Sequence, residues 1–172
     1  MKKKSAARKV ALPAILCALS LILTYVGVIA PSGRWGIIAV AGLCPAAAVI
    51  SVGFGAGLLC WASTAILAFL LVPDKFCALL YAVLFGLYPV LKALFERVRN
   101  RPVSCLLKIL FFNLSLTVLF LTMKGALLGS LPGILSATWL LYVAGNIVFI
   151  LYDFGMSKLI SIYIARLRRV RR

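Results

Sequence analysis

The sequence predicts an all-α membrane protein, a compact bundle of six transmembrane helices with both termini cytoplasmic. Three observations predict it. Hydrophobic residues make up 65% of the chain and charged residues only 13%, about half the charged share of an ordinary soluble domain. The apolar residues fall in runs of about 20, the length a helix needs to cross a hydrocarbon core of roughly 30 Å. The nineteen Lys and Arg residues, set against three acids, gather at the two chain ends and in one connection.

Helix one is predicted over about 10–30, where "VALPAILCALSLILTYVGVIA" follows the basic segment "MKKKSAARK". A cleaved signal peptide fits less well. The apolar run exceeds the roughly 7–15 residues of a signal core, and Pro31 directly follows the candidate site "VIA". "PSGRW" ends helix one, and helix two is predicted over 36–52, helix three over 54–72 after "VGFG", and helix four over 76–95 after "VPDK". Pro89 removes a backbone donor inside helix four and is expected to bend it. "ERVRNRP" leads to helix five over 103–123, and "MKGALLGSLPG" to helix six over 133–155. The stretch 124–133 also suits a short interfacial helix. Proline and glycine at these junctions are what helix ends require. Residues 1–172 form one domain, with basic tails over about 1–9 and 157–172.

Charge sets the topology. Five cations (Lys2, Lys3, Lys4, Arg8, Lys9) precede helix one and five (Lys92, Arg97, Arg99, Arg101, Lys108) flank the fourth connection. Six more (Lys158, Arg166, Arg168, Arg169, Arg171, Arg172) follow helix six. Only Arg34, Lys75 and Lys124 fall on the other side, so sixteen of nineteen cations lie on one side. That bias puts both termini and "ERVRNR" in the cytoplasm of a cell-membrane protein. A net charge of +16 would suit nucleic acid, but cations lying between spans answer first to topology. Lys92, Arg97, Arg99 and Arg101 are instead expected to meet anionic lipid or a cytoplasmic partner. Lys92 and Glu96, four residues apart, share a helix face.

The five cysteines form no CxxC pair and fall inside or at the ends of apolar runs, and there is no histidine. The sequence therefore predicts no metal, no cofactor and no disulfide framework. It shows no nucleophile–base pair and no paired carboxylates, so an enzyme is not expected. No charged residue falls at a predicted helix centre, which disfavours a proton-coupled pump. Asn113 and Asn146 fall near the midplane of helices five and six, where they either bond each other or line a polar cavity. Trp139 and Tyr142 lie in the outer half of helix six, at the depth of Tyr81. Arg34 and Trp35 follow helix one, and Asp74 and Lys75 join helices three and four. An aromatic belt accounts for these rings, as does the wall of a pocket for a small flat ligand. Ala14 and Ala18 in "ALPAILCALS", and Gly53 and Gly57 in "GFGAG", have the four-residue spacing that lets helices approach closely. Both pairs suit internal packing or a partner helix.

Together these features resemble the substrate-binding S component of energy-coupling factor (ECF) vitamin transporters. The likeness rests on size, six helices with both ends inside, the basic segment leading to "ALPAILCALS", and the glycine-rich "SVGFGAGLLCW". It implies a membrane-embedded, non-enzymatic subunit that captures a small solute, with ABC-type ATPases on other chains supplying power. It also implies that Ala14 and Ala18 contact a membrane coupling subunit, and that Arg34, Trp35, Trp139, Tyr142 and Asn146 bind the solute; Asn113, at the depth of Asn146, is a further candidate on its position alone. The chain departs from nickel- and cobalt-type members in lacking their N-terminal histidine, so a transition-metal ligand is not implied. Three cations against one acid on the outer side favour a neutral or anionic solute. The alternative is a small six-helix scaffold of the cell-shape or cell-wall machinery, which needs no ligand.

Reporter fusions test the topology. Fusions after Arg101 and after Arg172 should both report the cytoplasm, and an external signal from either would overturn it.

Overall fold

The computed structural model describes residues 2–97, 100–129 and 138–170, with side chains described over 9–97, 100, 102–122, 139–140 and 142–166. All secondary structure among them is helical: α1 (Lys2–Ile29), α2 (Arg34–Ala41), α3 (Leu43–Ser51), α4 (Phe54–Leu71), α5 (Lys75–Leu80), a π-helical segment (Tyr81–Phe85), α6 (Leu87–Phe95), α7 (Arg101–Gly129) and α8 (Thr138–Val170). Six stretches are long and apolar enough to cross a membrane: Lys9–Ile29, Arg34–Ser51, Phe54–Leu71, Lys75–Phe95, Pro102–Thr122 and Tyr142–Arg166. This is the architecture of a multi-pass membrane protein. The chain divides into two compact units, Met1–Leu94 and Phe95–Arg172, each described on its own below.

In the first unit, two of the four spans are interrupted near their middles, and prolines explain where. Pro45 has no N–H, so it cannot bond the Ala41 carbonyl four residues before it. The chain turns at Gly42 between α2 and α3, and the Ser20 hydroxyl of α1 donates to the Ala41 carbonyl instead, at 3.0 Å. Pro89 likewise cannot bond the Phe85 carbonyl, and the π-helical segment lies just before it. There the Gly86 N–H reaches back five residues to the Tyr81 carbonyl at 2.7 Å. The Ala82 carbonyl, which Gly86 would take in a regular α-helix, receives the Trp61 indole N–H at 2.8 Å. Thus the bend expected at Pro89 takes the form of a π-helical turn, and helix two, expected as continuous, is broken.

The two interruptions pack against each other. A Cβ at Gly42 would overlap the Phe85 carbonyl oxygen and carbon, so only glycine lets these backbones meet. Around them Ile38, Ala41, Cys77 and Tyr81 form a fully buried cluster, with Leu23, Val28, Trp61 and Phe85 packed on it. A second close approach lies between α3 and α4, where a Cβ at Gly57 would overlap Val49. Of the two uses foreseen for the glycine pair, internal packing accounts for Gly57. Gly53 has another role: with φ of 134° it makes the turn between α3 and α4, a backbone conformation L side chains rarely adopt.

The second unit is an antiparallel hairpin of α7 and α8. Its helices exceed the expected ones. α7 continues to Gly129, through most of the predicted connection, and the remainder, 130–133, lies outside the described residues. α8 runs unbroken to Val170, so the predicted C-terminal tail is helical that far. At 33 residues it is about 50 Å long, well beyond a hydrocarbon core of roughly 30 Å.

Gly42→Ala should destabilise the protein by about 1–3 kcal/mol, since its methyl group meets backbone that cannot rotate away. Gly36→Ala, where the added carbon meets nothing within 4 Å, should be neutral or slightly stabilising. Thermal unfolding in detergent, followed by far-UV circular dichroism, distinguishes the two. Equal effects would sink the close-contact account.

Candidate functional site

Arg34 opens α2, and its guanidinium meets the Asp74 carboxylate at 3.3 Å. Asp74 also caps α5, accepting from the backbone N–H groups of Phe76 (3.0 Å) and Cys77 (3.4 Å). The Cys77 thiol donates to it at 3.2 Å. Lys75 closes the preceding helix, donating to the carbonyls of Phe69 (2.6 Å) and Val72 (3.0 Å). "VPDK" therefore finishes one helix with its lysine and starts the next with its aspartate. The ion pair joins the starts of the second and fourth spans. Arg34 and Asp74 offset each other and Lys75 serves as a cap. The expected excess of positive charge available to a ligand is correspondingly reduced here, and the Lys124 side chain lies outside the described residues. Trp35, beside Arg34, is half-buried.

In the second unit, Asn113 and Asn146 face each other. Asn113 Nδ2 donates to Asn146 Oδ1 at 3.0 Å, and Asn146 Nδ2 donates back to Asn113 Oδ1 at 3.1 Å. The second hydrogen of each amide goes to its own helix, to the Ile109 and Tyr142 carbonyls, both at 2.8 Å. Of the two roles foreseen for these residues, the geometry is that of a mutual pair, with every amide donor used. One turn along, the hydroxyls of Thr117 and Tyr142 lie 2.8 Å apart. Trp139 is 70% exposed. Arg34 and Trp35 belong to the first unit, and Trp139, Tyr142 and Asn146 to the second.

The cations of the fourth connection separate. Lys92 is 1% exposed, with its ammonium 5.8 Å from the Tyr88 ring centre, so it does not present its charge to lipid or a partner as expected. Glu96 instead receives Lys108 at 3.0 Å. Lys108 also bonds Asp153 of α8, with the nearer oxygen at 3.1 Å. Arg97 is exposed. Arg99 and the Arg101 side chain lie outside the described residues.

Ala14 and Ala18 are both exposed along α1, with Ala11, Ile15, Leu19, Ile22 and Tyr25. The opposite face of α1 turns Cys17, Ser20 and Thr24 inward.

The sequence reading missed the polar core of the first unit. The Tyr81 hydroxyl is fully buried and lies 2.8 Å from the Ser20 hydroxyl. Because Ser20 has one hydrogen and gives it to Ala41, Tyr81 is the donor of this second bond. Thr64 donates to the Cys60 carbonyl at 2.8 Å and lies 3.3 Å from the Cys17 sulfur. The signal was present: Ser20, Thr24 and Thr64 are polar groups deep in apolar runs, and Pro45 lies inside a predicted span. No group of three or more metal-ligating side chains occurs among the described residues. Comparison with protein-family models, with curated proteins and with solved structures finds no match to this chain.

A double-mutant cycle on Asn113→Leu and Asn146→Leu should give a favourable coupling of about 0.6–1.7 kcal/mol, the range of polar pairs between membrane helices. Each single variant leaves one amide without its partner, so the double variant should recover part of the loss. Additive losses in reversible unfolding would show that the amides act separately.

Proposed function

We propose that the chain is the substrate-binding membrane subunit of an ECF-type uptake transporter. In this reading it captures a small neutral or anionic solute outside the cell, and separate ABC-type ATPases act through a membrane coupling subunit. It carries out no chemistry itself. The observation that carries the reading is the outward face of α1. Ala14 and Ala18 are exposed at four-residue spacing, while Cys17, Ser20 and Thr24 supply the internal contacts of the same helix. A small-residue face left open inside its own chain suits another membrane helix, because in lipid close backbone approach replaces the hydrophobic effect. Both termini are cytoplasmic in this reading, and the membrane is the cell membrane.

The solute would be held on the outer side by Arg34 and Trp35 of the first unit. Of these, Arg34 can supply guanidinium N–H groups beyond the one bound to Asp74. Asn113 and Asn146 are structural in this reading, since their amide hydrogens are used.

One observation favours the second reading, a small membrane scaffold of the cell-shape or cell-wall machinery. The Asn113–Asn146 pair and the Arg34–Asp74 pair satisfy one another, as they would in a protein with no ligand to hold.

Replacing both Ala14 and Ala18 with Leu should abolish co-purification with a coupling subunit while leaving the thermal unfolding temperature within a few degrees of wild type. Unfolding of the double variant would instead make this face internal. For the solute, Trp35→Phe should reduce ligand-induced quenching of tryptophan fluorescence. Failure of every solute in a broad metabolite screen to bind would favour the scaffold.

A further inference from the structure

Two donors of the first unit contend for one carbonyl. The Ala82 carbonyl is the ordinary α-helical acceptor for the Gly86 N–H, yet it holds the Trp61 indole N–H of α4 at 2.8 Å. The Gly86 N–H, displaced, reaches the Tyr81 carbonyl at 2.7 Å. Each donor has a single hydrogen, so the bond from Trp61 and the wider turn go together. Gly86 also leaves the space that the bond needs, since a Cβ there would come within 2.8 Å of Cδ1 of Trp61 and Cζ of Tyr81.

A second register satisfies the same backbone without Trp61. If the Gly86 N–H takes the Ala82 carbonyl, the Phe85 N–H takes that of Tyr81 and the segment becomes regular α-helix. A π-helical turn holds one residue more than the α-helix it interrupts. The two registers therefore differ by one residue, about 1.5 Å along the axis and about 100° around it. The half that moves is α5. Lys92 on α6 is 1% exposed, and shifting α6 would drag a buried ammonium through its packing, whereas α5 is six residues long. Its movement undoes two further contacts. Tyr81 turns from Ser20, which it meets at 2.8 Å. Asp74, the N-cap of α5, turns from Arg34, which it meets at 3.3 Å. Contacts to α4, α1 and α2 thus all select the π register and are lost together.

We propose that the Tyr81–Phe85 turn is a two-register switch, with the Trp61 indole as its catch and the Arg34–Asp74 pair as the contact it opens and closes. In the π register that pair joins the starts of the second and fourth spans, and in the α register it releases them. Whatever draws Arg34 from Asp74 favours the α register, and by linkage the release of Trp61 weakens the ion pair. The switch is independent of whether the protein carries a solute.

The test reads the register through two neighbouring positions. Leu79 is partly exposed and Leu80 is 6% exposed. The change of register puts Leu80 in the place that Leu79 holds, and turns Leu79 inward to the place of Ala78, which is fully buried. Leu79→Cys and Leu80→Cys are made singly in the full-length chain carrying Cys105→Ser, since the other four cysteines are buried. Maleimide labelling in detergent, followed by intact mass, gives the rate at each position. With Trp61 in place, position 79 should label faster than position 80. Trp61→Phe keeps a ring but removes the indole N–H. The ratio of the rate at 80 to that at 79 should then rise by about threefold to twentyfold, the effect of one polar contact between membrane helices. Arg34→Gln, which leaves Asp74 on the backbone N–H groups of α5, should raise the ratio similarly. An unchanged ratio in either variant overturns the proposal. Rates that rise together at both positions also overturn it, because they report loosening of the helix rather than a change of register.

Discussion

Inside a bilayer no water is present to satisfy a backbone carbonyl whose helical donor has been removed, and the first unit is organised around that constraint. Pro45 and Pro89 each remove a donor from the middle of a span. The Ala41 carbonyl, which loses its donor to Pro45, is met by Ser20, and Ser20 in turn is held by Tyr81. The π-helical turn before Pro89 redirects Gly86 to Tyr81 and hands the Ala82 carbonyl to Trp61. Every one of these compensations comes from a different element: α1, α4 or the π-helical segment. The four spans are tied together by the places where two of them are broken. Glycine at 42 is part of the same arrangement, since it lets the two interruptions approach to backbone contact.

The second unit solves a different problem, that of fixing two long helices against each other when lipid competes equally well for their apolar sides. Its answer is a ladder of polar and aromatic contacts in one register. Lys108 bridges two carboxylates at one end. The Phe112–Phe149 stack and the two asparagines follow, and Thr117 with Tyr142 completes the run. Such contacts add modest energy each. Their greater effect is on specificity. Sliding one helix by a residue would separate the amide pair, strand two carboxylates from their shared ammonium, and lose the ring stack together.

These polar groups are engaged internally among the described residues, while Ala14 and Ala18 leave a small-residue face of α1 exposed. The three acids of the chain fit the same pattern, because each is ion-paired and one also caps a helix.

The sequence by itself determined the six apolar spans, their approximate ends and the clustering of cations, because these depend on run length and local composition. It also made plain that Asn113 and Asn146 lie at matching depth in consecutive spans, and that Ala14 and Ala18 share a face. Helix breaks at Gly42 and within Tyr81–Phe85, the burial of Lys92 and the exposure of Trp139 were decided only by tertiary structure. Each depends on which neighbour lies alongside. A proline announces a missing donor but not whether the helix bends, breaks or widens to a π turn, since that follows from the donor another helix can offer. A lysine near a span end reads as a surface charge until the helix's rotation is known, and a tryptophan reads as a pocket wall on the same terms. Periodicity alone leaves that rotation open in a helix apolar on every side.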